Sequence, residues 1–217
     1  MMFGLRVTGD DYIYQIDGVN CSYVLRAKER LFLRGGFADN TLAVKLGVST
    51  PAKTPYVDGD LIFMKTEGDV NIVNNRFKDS IYQPPGDSSG YVTLYFFNSS
   101  EVVKSNSKIG LRVRGVNGNV IFDSGNEYLK IIHSEVGNNI IYDYSRQFNT
   151  DIAVNVSTIC SRQCNEAEYY EYYESFFNCT NNHLRIKEMF SWGEDLPSIE
   201  GYTVGNSFIL VADVSGL

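Results

Sequence analysis

Short runs in which apolar and polar residues alternate dominate the chain. In the first of them, residues 3–8, the apolar Phe3, Leu5 and Val7 alternate with glycine, arginine and threonine. Successive side chains of a β-strand point to opposite faces, so this period of two predicts a half-buried strand. The same period predicts four more half-buried strands, over residues 42–48, 92–96, 109–113 and 152–156.

Two denser apolar runs, residues 61–64 and 208–211, predict strands that are buried on both faces. Turn-forming pairs separate the runs, for example Asp58 with Gly59. Many short strands with turns between them are typical of a β-sandwich or a β-barrel. The sequence therefore predicts an all-β fold built from sandwich-like domains.

An internal repeat indicates how the strands are organised. The sequence Gly-Leu-Arg-Val occurs at residues 4–7 and again at residues 110–113, an offset of 106 (110 − 4). Residues 42–44 then match residues 152–154 at an offset of 110, which implies a short insertion between them. A period of this length is too long for a solenoid unit and fits a duplicated domain. Three identities keep the first offset without a gap: Gly9 with Gly115, Asp17 with Asp123, and Asn20 with Asn126.

We therefore predict two related β-domains in tandem. The first covers residues 1–100 and the second covers residues 109–217. The polar residues 101–108 between them have the composition of a linker.

The second domain contains a segment that breaks the β pattern, around residues 160–183. Within it, Tyr169, Tyr172, Tyr173 and Phe176 have the spacing of one face of a helix, and glutamates occupy the other face. This spacing predicts a short helix over residues 165–178, in a cysteine-rich insertion.

Composition and charge narrow the classes of function. The net charge is −7, and lysine and arginine form no basic run, which argues against binding of nucleic acid. Since no apolar stretch reaches 18 residues, we expect no membrane insertion. The first residues lack the charged start and apolar core of a secretory signal, so we expect synthesis in the cytoplasm.

Three cysteines and a histidine frame the predicted insertion: Cys160, Cys164, Cys179 and His183. Three thiolates and one imidazole can complete the tetrahedral shell of a structural zinc ion. All four ligands would be protein groups, which leaves no position for a reactive water. Two alternatives stay open, a disulfide from Cys179 to one of the other two cysteines, or free buried thiols.

The chain offers little for catalysis. One of its two histidines, His133, lies in an apolar run where histidine is usually structural, and no nucleophile elbow of the G-x-S-x-G kind occurs. The acidic residues Asp58 and Asp60 lie in a turn, where aspartate supports local hydrogen bonds. We expect no enzymatic activity and no catalytic residues.

The aromatic residues suggest a binding surface instead. Sugars stack on exposed aromatic rings, and tyrosine and tryptophan combine an apolar ring with a polar group. The alternative is that these rings cover the apolar surface of the sheet. The candidate contacts for a receptor or glycan are Tyr169, Tyr170, Tyr172, Tyr173 and Trp192.

Residues 110–113 read Gly-Leu-Arg-Val, residues 117–125 read Asn-Gly-Asn-Val-Ile-Phe-Asp-Ser-Gly, and residues 128–131 read Tyr-Leu-Lys-Ile. Together these pieces resemble a recurring module of tailed-bacteriophage tail proteins. In that family a Gly-Leu-x-Val strand leads to an Asn-Gly turn, a Phe-Asp-Ser strand end and an apolar-basic strand. The first repeat departs from this pattern at residues 16–18, which read Ile-Asp-Gly, and the cysteine-rich insertion has no counterpart in the family. The resemblance is carried by residues 110–113, 117–125 and 128–131, with similar pieces at 3–7, 61–63 and 91–97.

The resemblance implies a structural virion component at the distal tail or tail fibre. Such a protein is made in the host cytoplasm, packs as a multimer against other virion tail proteins and can bind a receptor or glycan on the host cell surface. The family has no catalytic residues to transfer. Two other functions are kept as alternatives, a carbohydrate-binding module and a decoration protein of the capsid.

Overall fold

The fold is taken from a computed structural model, and every regular element in its described part is a β-strand. No helix in that part is long and apolar enough to cross a membrane. The described residues are 4–8, 13–17, 22–34, 48–73, 80–83, 88–99, 106, 108–115, 118–137, 143–157, 161–166, 169–195, 203–204 and 207–217.

Eight strands belong to the first half of the chain. They are β1 (Gly4–Thr8), β2 (Ile13–Asp17), β3 (Val24–Leu33), β4 (Val48–Pro51), β5 (Leu61–Glu67), β6 (Ile72–Val73), β7 (Ser80–Gln83) and β8 (Gly90–Asn98).

Ten strands belong to the second half. They are β9 (Arg112–Arg114), β10 (Val120–Asp123), β11 (Ile131–Gly137), β12 (Asp143–Gln147), β13 (Ile152–Ser157), β14 (Ser161–Glu166), β15 (Tyr169–Thr180), β16 (His183–Asp195), β17 (Thr203–Val204) and β18 (Ser207–Asp213).

Most of the strands form two antiparallel layers. In the first sheet the order is β3-β8-β5-β13-β18-β11. In the second sheet the order is β4-β7-β6-β15-β16-β12, and β14 and β17 extend it beside the first part of β15. A single parallel residue pair, Thr66 with Thr180, links the two layers. The strand pairs β1–β2 and β9–β10 stand apart as two-stranded hairpins.

The first sheet is curled, because its two outer strands meet at one end. Val24, at the start of β3, forms a bridge with Tyr128, just before β11. The amide of Leu129 donates a hydrogen bond of 2.9 Å to the carbonyl of Tyr23, and the amide of Leu25 donates one of 2.8 Å to the carbonyl of Glu127.

The larger hydrophobic cluster fills the space between the sheets. Leu94 and Val154 reach it from the first sheet, and Ile72, Phe177 and Leu184 reach it from the second. A smaller cluster lies on the opposite face of the first sheet, with Phe63, Tyr95, Phe97, Ala153 and Ala212 among its members.

Alternation along the strands explains this two-sided burial. Phe63 belongs to the smaller cluster and its neighbour Met64 to the larger one, which confirms that residues 61–64 form a strand with apolar residues on both faces. The strand predicted over residues 92–96 exists, but the expectation that it is half buried was wrong. Residues 92–98 of β8 are all buried, since both clusters pack against this strand.

The predicted helix over residues 165–178 was wrong. The described residues of that segment are strands, β14 and the first part of β15. Tyrosine and phenylalanine favour strands, and β15 finds a partner of matching length in β16. The segment is still an addition to the second half, but an addition of strands.

Each predicted half contributes three strands to the first sheet; the first half contributes three and the second half five to the second sheet, and side chains of both halves share both clusters. The division into two domains with a linker stays a prediction, and most of residues 101–108 lie outside the described part.

Candidate functional site

The predicted zinc ligands are only partly described. Cys160 lies outside the described residues, and Cys164 is placed in β14 by its backbone alone. Cys179 and His183 flank the tight turn between β15 and β16, where Cys179 is paired with Leu184 and Thr180 with His183. Because neighbouring residues on a strand face opposite sides, Cys179 and His183 point away from each other.

The surroundings of these two side chains agree with that geometry. Cys179 is fully buried, and its Sγ lies 3.5 Å from the carbonyl oxygen of Ile152. Burial raises the pKa of the Cys179 thiol well above its usual range, so the thiol is protonated near pH 7. Nε2 of His183 lies 2.9 Å from Oγ of Ser145. Among the described residues, no group of three or more His, Cys, Asp or Glu side chains is arranged to hold a metal ion.

The predicted receptor contacts lie on β15 and β16 of the second sheet. Tyr172 and Trp192 are directly opposite each other in the β15–β16 pairing, which brings together two residues that are 20 positions apart (192 − 172). Tyr169, Tyr170 and Tyr173 lie on the same strand as Tyr172. The structure describes the backbone of all five and leaves their role as contacts a prediction.

A different aromatic surface is described in full, and we call it the Phe32 patch. It consists of Arg30 and Phe32 from β3, Glu67 from β5 and Tyr91 from β8. Strand pairing places Tyr91 in the middle of a row, with Phe32 opposite it on one side and Glu67 on the other. Phe32 is 51 % exposed and Tyr91 is 37 % exposed, so two large rings meet solvent side by side.

Arg30 crosses over the ring of Tyr91 to reach Glu67. Its Nε and Nη2 donate hydrogen bonds of 2.9 Å and 2.6 Å to the two carboxylate oxygens of Glu67. The centre of its guanidinium lies 3.6 Å from the Tyr91 ring centroid, in the position of a cation–π contact. The ring centroids of Phe32 and Tyr91 are 5.2 Å apart, edge to face. These contacts hold the patch in one arrangement on a rigid part of the sheet.

The charges in the patch are fixed at neutral pH. The hydrogen bonds from Arg30 lower the pKa of Glu67 below its usual range and more than offset the effect of its partial burial. Since this ion pair is exposed, it contributes little to folding stability. Its main consequence is positional, because the bidentate pair keeps the guanidinium over the Tyr91 ring.

An alternation along residues 28–34 indicates this patch, which lies outside the aromatic-rich segment around residues 169–192. Along β3 and the residue after it, Lys28, Arg30, Phe32 and Arg34 alternate with Glu29, Leu31 and Leu33. The first four are exposed, and Leu31 and Leu33 are buried. A phenylalanine in phase with three cations is a candidate exposed ring.

A second polar cluster connects β11 with β12. Nε2 of His133 lies 3.0 Å from Oε2 of Glu135 and 3.2 Å from Nη1 of Arg146. The hydroxyl of Tyr144 donates a 2.9 Å hydrogen bond to the same Glu135 oxygen. The bond to His133, followed by that from Tyr144, lowers the pKa of Glu135 against the effect of burial. These contacts attach the second sheet to the edge of the first.

Asp60 has the structural role predicted for an aspartate in a turn. Its side chain is fully buried, and it accepts a 2.8 Å hydrogen bond from the amide of Val57. Arg26 pairs with the same carboxylate through Nε and Nη2, at 3.2 Å and 2.5 Å, and Asn98 donates a further bond of 2.8 Å. The carboxylate is thus fully occupied with holding the turn before β5.

Comparison with protein families, with curated proteins and with solved structures finds no match to this chain in any of the three.

Proposed function

We propose that this chain is a structural component of a tailed-phage virion, at the distal tail or tail fibre, that acts through contacts with other virion proteins. The phage assignment rests on the resemblance of residues 110–131 to tail-protein modules. The contact role rests on the Phe32 patch. Tyrosine and arginine are enriched among the residues that dominate binding energy at protein interfaces, and here they lie on strands of a packed sheet.

The use of charged groups elsewhere supports a contact role over a catalytic one. Asp60, Asp123 and Asp213 are each paired with an arginine or lysine. Each of the three carboxylates also accepts a hydrogen bond from a backbone amide two or three residues away, so these side chains stabilise local turns.

Three finer parts of the proposal concern the second half. The strands β14, β15 and β16 would present Tyr172 and Trp192 to a host receptor or glycan. The protein would act as a multimer in the particle. A structural zinc ion would bind Cys160 and Cys164 of the four predicted ligands, because the other two, Cys179 and His183, face opposite sides of the β15–β16 hairpin.

The location is tested on purified phage particles. Quantitative mass spectrometry gives the copy number, and gold-labelled antibody to this chain gives the position in electron micrographs. A few copies with label at the tail end support the proposal. Many copies spread over the head would instead indicate a capsid decoration, and absence from particles would overturn the virion role.

The contact surface is tested by incorporation of variants into particles that lack the wild-type chain. Phe32→Ala removes the most exposed ring of the patch, and we expect its binding to particles to weaken by about thirtyfold, the loss typical of an interface hot spot. Val57→Ala is the matched control, because Val57 is also an exposed apolar residue and lies outside the patch. Equal incorporation of both variants would exclude the patch as the contact.

A carbohydrate-binding module is the second candidate, since an exposed ring beside a bidentate Arg–Glu pair also suits a sugar. A glycan array with the isolated chain tests it. Loss of binding in Phe32→Ala would locate the sugar at the Phe32 patch, and loss in Tyr172→Ala or Trp192→Ala would locate it on the β15–β16 hairpin. Absence of any glycan signal would leave protein contacts as the only candidate.

A further inference from the structure

The strands follow the same order in both halves of the chain. Each half begins with a separate hairpin, β1–β2 or β9–β10. The next strand, β3 or β11, belongs to the first sheet. It is followed by β4 or β12, which belongs to the second sheet, and then by β5 or β13, which belongs to the first sheet again. A hairpin of the second sheet comes next (β6–β7 or β15–β16), and a last strand (β8 or β18) returns between the first two.

A pair of β-bulges fixes the register of this match. In β3 the pairing with β8 shifts between Leu25 and Ala27, and in β11 the pairing with β18 shifts between Ile131 and His133. Each position in the first bulge is 106 residues before its counterpart in the second (131 − 25 and 133 − 27). The two Gly-Leu-Arg-Val sequences have the same offset. Bulges are specific local features, so this agreement is independent support for a true repeat.

The equivalent strands also pair with each other, and they do so antiparallel. β5 pairs with β13 through Met64 and Val154, and β6 pairs with β15. Tyr23 and Leu129, again 106 residues apart, share a hydrogen bond where the outer strands meet. Two equivalent strands can pair antiparallel only if a two-fold rotation relates them, as in the interface of a symmetric dimer.

We infer that this chain is a fused dimer, in which each half is one copy of a repeated unit and is the binding partner of the other. The interface is made by the edges of β5 and β6 from one copy and β13 and β15 from the other. This inference is independent of the proposed function.

Hydrogen bonds across the interface bind the two copies. Nδ2 of Asn155 donates a 2.8 Å bond to the carbonyl of Ile62. The amide of Cys179 donates a 2.8 Å bond to Oγ1 of Thr66, and Nδ2 of Asn178 donates a 2.7 Å bond to the carbonyl of Val70. An ion pair between Lys65 and Asp151 adds a charged contact.

Each copy alone would expose what the other copy covers. The paired backbone groups of β5 and β13 would become open sheet edges, which favour aggregation. The larger hydrophobic cluster would also be divided, because it contains residues of both halves. The two halves should therefore be stable together and unstable apart.

The experiment starts from the full chain with a protease site inserted between residues 101 and 105. The chain is folded intact, cut at that site, and examined by size-exclusion chromatography and thermal unfolding. We expect the cut protein to elute as one particle of unchanged size and to unfold in a single transition. We expect the separated halves to aggregate or lack a cooperative transition, and mixing them from denaturant to restore the particle. Halves that separate after cutting, or fold alone as monomers, would overturn the inference.

A pair of asparagine variants in the cut protein tests the interface itself. Asn155→Ala removes a side-chain bond to a carbonyl of the other half, and we expect it to weaken the association of the halves at least fivefold on dilution. Asn182→Ala is the matched control, since Nδ2 of Asn182 donates a 2.9 Å bond to the carbonyl of Phe148 within the same half. Equal effects of the two variants on association would contradict the proposed interface.

Discussion

The two halves of this molecule build the same arrangement of strands but connect it differently. Residues 68–89 join β5 to β8 in the first half, and residues 158–206 join β13 to β18 in the second. Both connections contain a hairpin of the second sheet, β6–β7 or β15–β16, and the longer connection adds β14, β17 and the extra length of β15 and β16. The strands that pair across the interface are retained in both halves, and the added strands lie where they do not interrupt that pairing. Packing therefore limits structural change at the strand edges through which the two halves pair. It permits change in the segment that connects the last two strands of the first sheet in each half.

Equivalent positions in the two halves also attach the last strand to a preceding turn, but through different chemical groups. At the end of β8, Asn98 donates hydrogen bonds to Asp60 and to the carbonyl of Asp58, in the turn before β5. At the end of β18, Asp213 accepts a bond from Thr150, in the turn before β13. Both contacts join the last strand of a half to the turn that precedes its neighbour.

The largest expected effect tests whether the halves share their stability. Phe177 is fully buried in the larger cluster and is paired with Ile72 of the other half. Phe177→Ala should lower the free energy of unfolding by about 3–5 kcal/mol, since it opens a large cavity. We expect one unfolding transition that shifts as a whole, measured by urea denaturation. Phe32→Ala is the matched control and should change stability by less than about 0.5 kcal/mol, because Phe32 is half exposed. Two separate transitions would show that the halves unfold independently.

A smaller effect compares the two turn contacts. Asp60→Asn removes the charge that pairs with Arg26, and it turns an amide donor toward the amide of Val57. We expect a loss of about 1–3 kcal/mol in the free energy of unfolding, the cost of leaving buried polar groups unsatisfied. Asp213→Asn should cost less, because the Asp213 side chain is 12 % accessible and that of Asp60 is fully buried. A larger loss of unfolding free energy at pH 7 in Asp213→Asn than in Asp60→Asn would contradict this prediction.

The carboxylates of Asp60 and Asp213 also make the folding stability depend on pH. Burial raises the pKa of Asp213, but hydrogen bonds from Ser215, Lys130 and Thr150 outweigh it, and the pKa is well below its usual range. The pKa of Asp60 is lowered in the same way by Arg26 and Asn98. A lowered pKa in the folded state stabilises the protein above the unfolded-state value of about 3.9, and this contribution is lost as the pH falls further. Urea midpoints at pH 7 and pH 3 should therefore converge in Asp213→Asn relative to the wild type. If the difference between the two midpoints is the same in the variant and the wild type, Asp213 does not contribute to the pH dependence of stability.

The smallest expected effect concerns Cys179 and the predicted zinc site. Cys179→Ala should cost about 1 kcal/mol of stability, the typical size for a small core truncation. Because Cys179 faces the core and His183 the other side of the hairpin, we expect the zinc content, measured by atomic absorption, to be the same in variant and wild type. Loss of one zinc ion per chain in the variant would restore the four-ligand site.

The sequence predicted the strands well where a single period decided the outcome. The strands predicted over residues 3–8, 61–64 and 152–156 correspond to β1, β5 and β13, and the offset of 106 reappears in the bulges. The later match of residues 42–44 with 152–154 does not agree with the strand order, which makes β5 the counterpart of β13. Short apolar triplets are common in β-proteins, so a match of three residues carries little information.

The errors arose where pairing partners decided the outcome. Tyr169, Tyr172 and Tyr173 fit a helical spacing, but they also lie in a run of strand-forming residues, and only the pairing with β16 settles the choice. The pairing of β5 with β13 was likewise beyond a local pattern, because it joins residues about 90 positions apart (154 − 64). The Phe32 patch depended on Tyr91 being opposite Phe32, which is a matter of strand register.

The two bulges have a consequence for the length of the chain. Each adds one residue, Arg26 in β3 and Ile132 in β11, and so sets which side chains after it face the core. Deleting a residue after the bulge, such as Lys28, while keeping the pairing of residues 22–27 would move Leu31 and Leu33 to the opposite face of the sheet and turn Phe32 toward the core. The sheet can tolerate single substitutions along β3, but it cannot tolerate a one-residue shift of register, which moves all later side chains to the opposite face. We therefore expect related chains to vary in residue type between positions 27 and 33 while keeping the number of residues there unchanged.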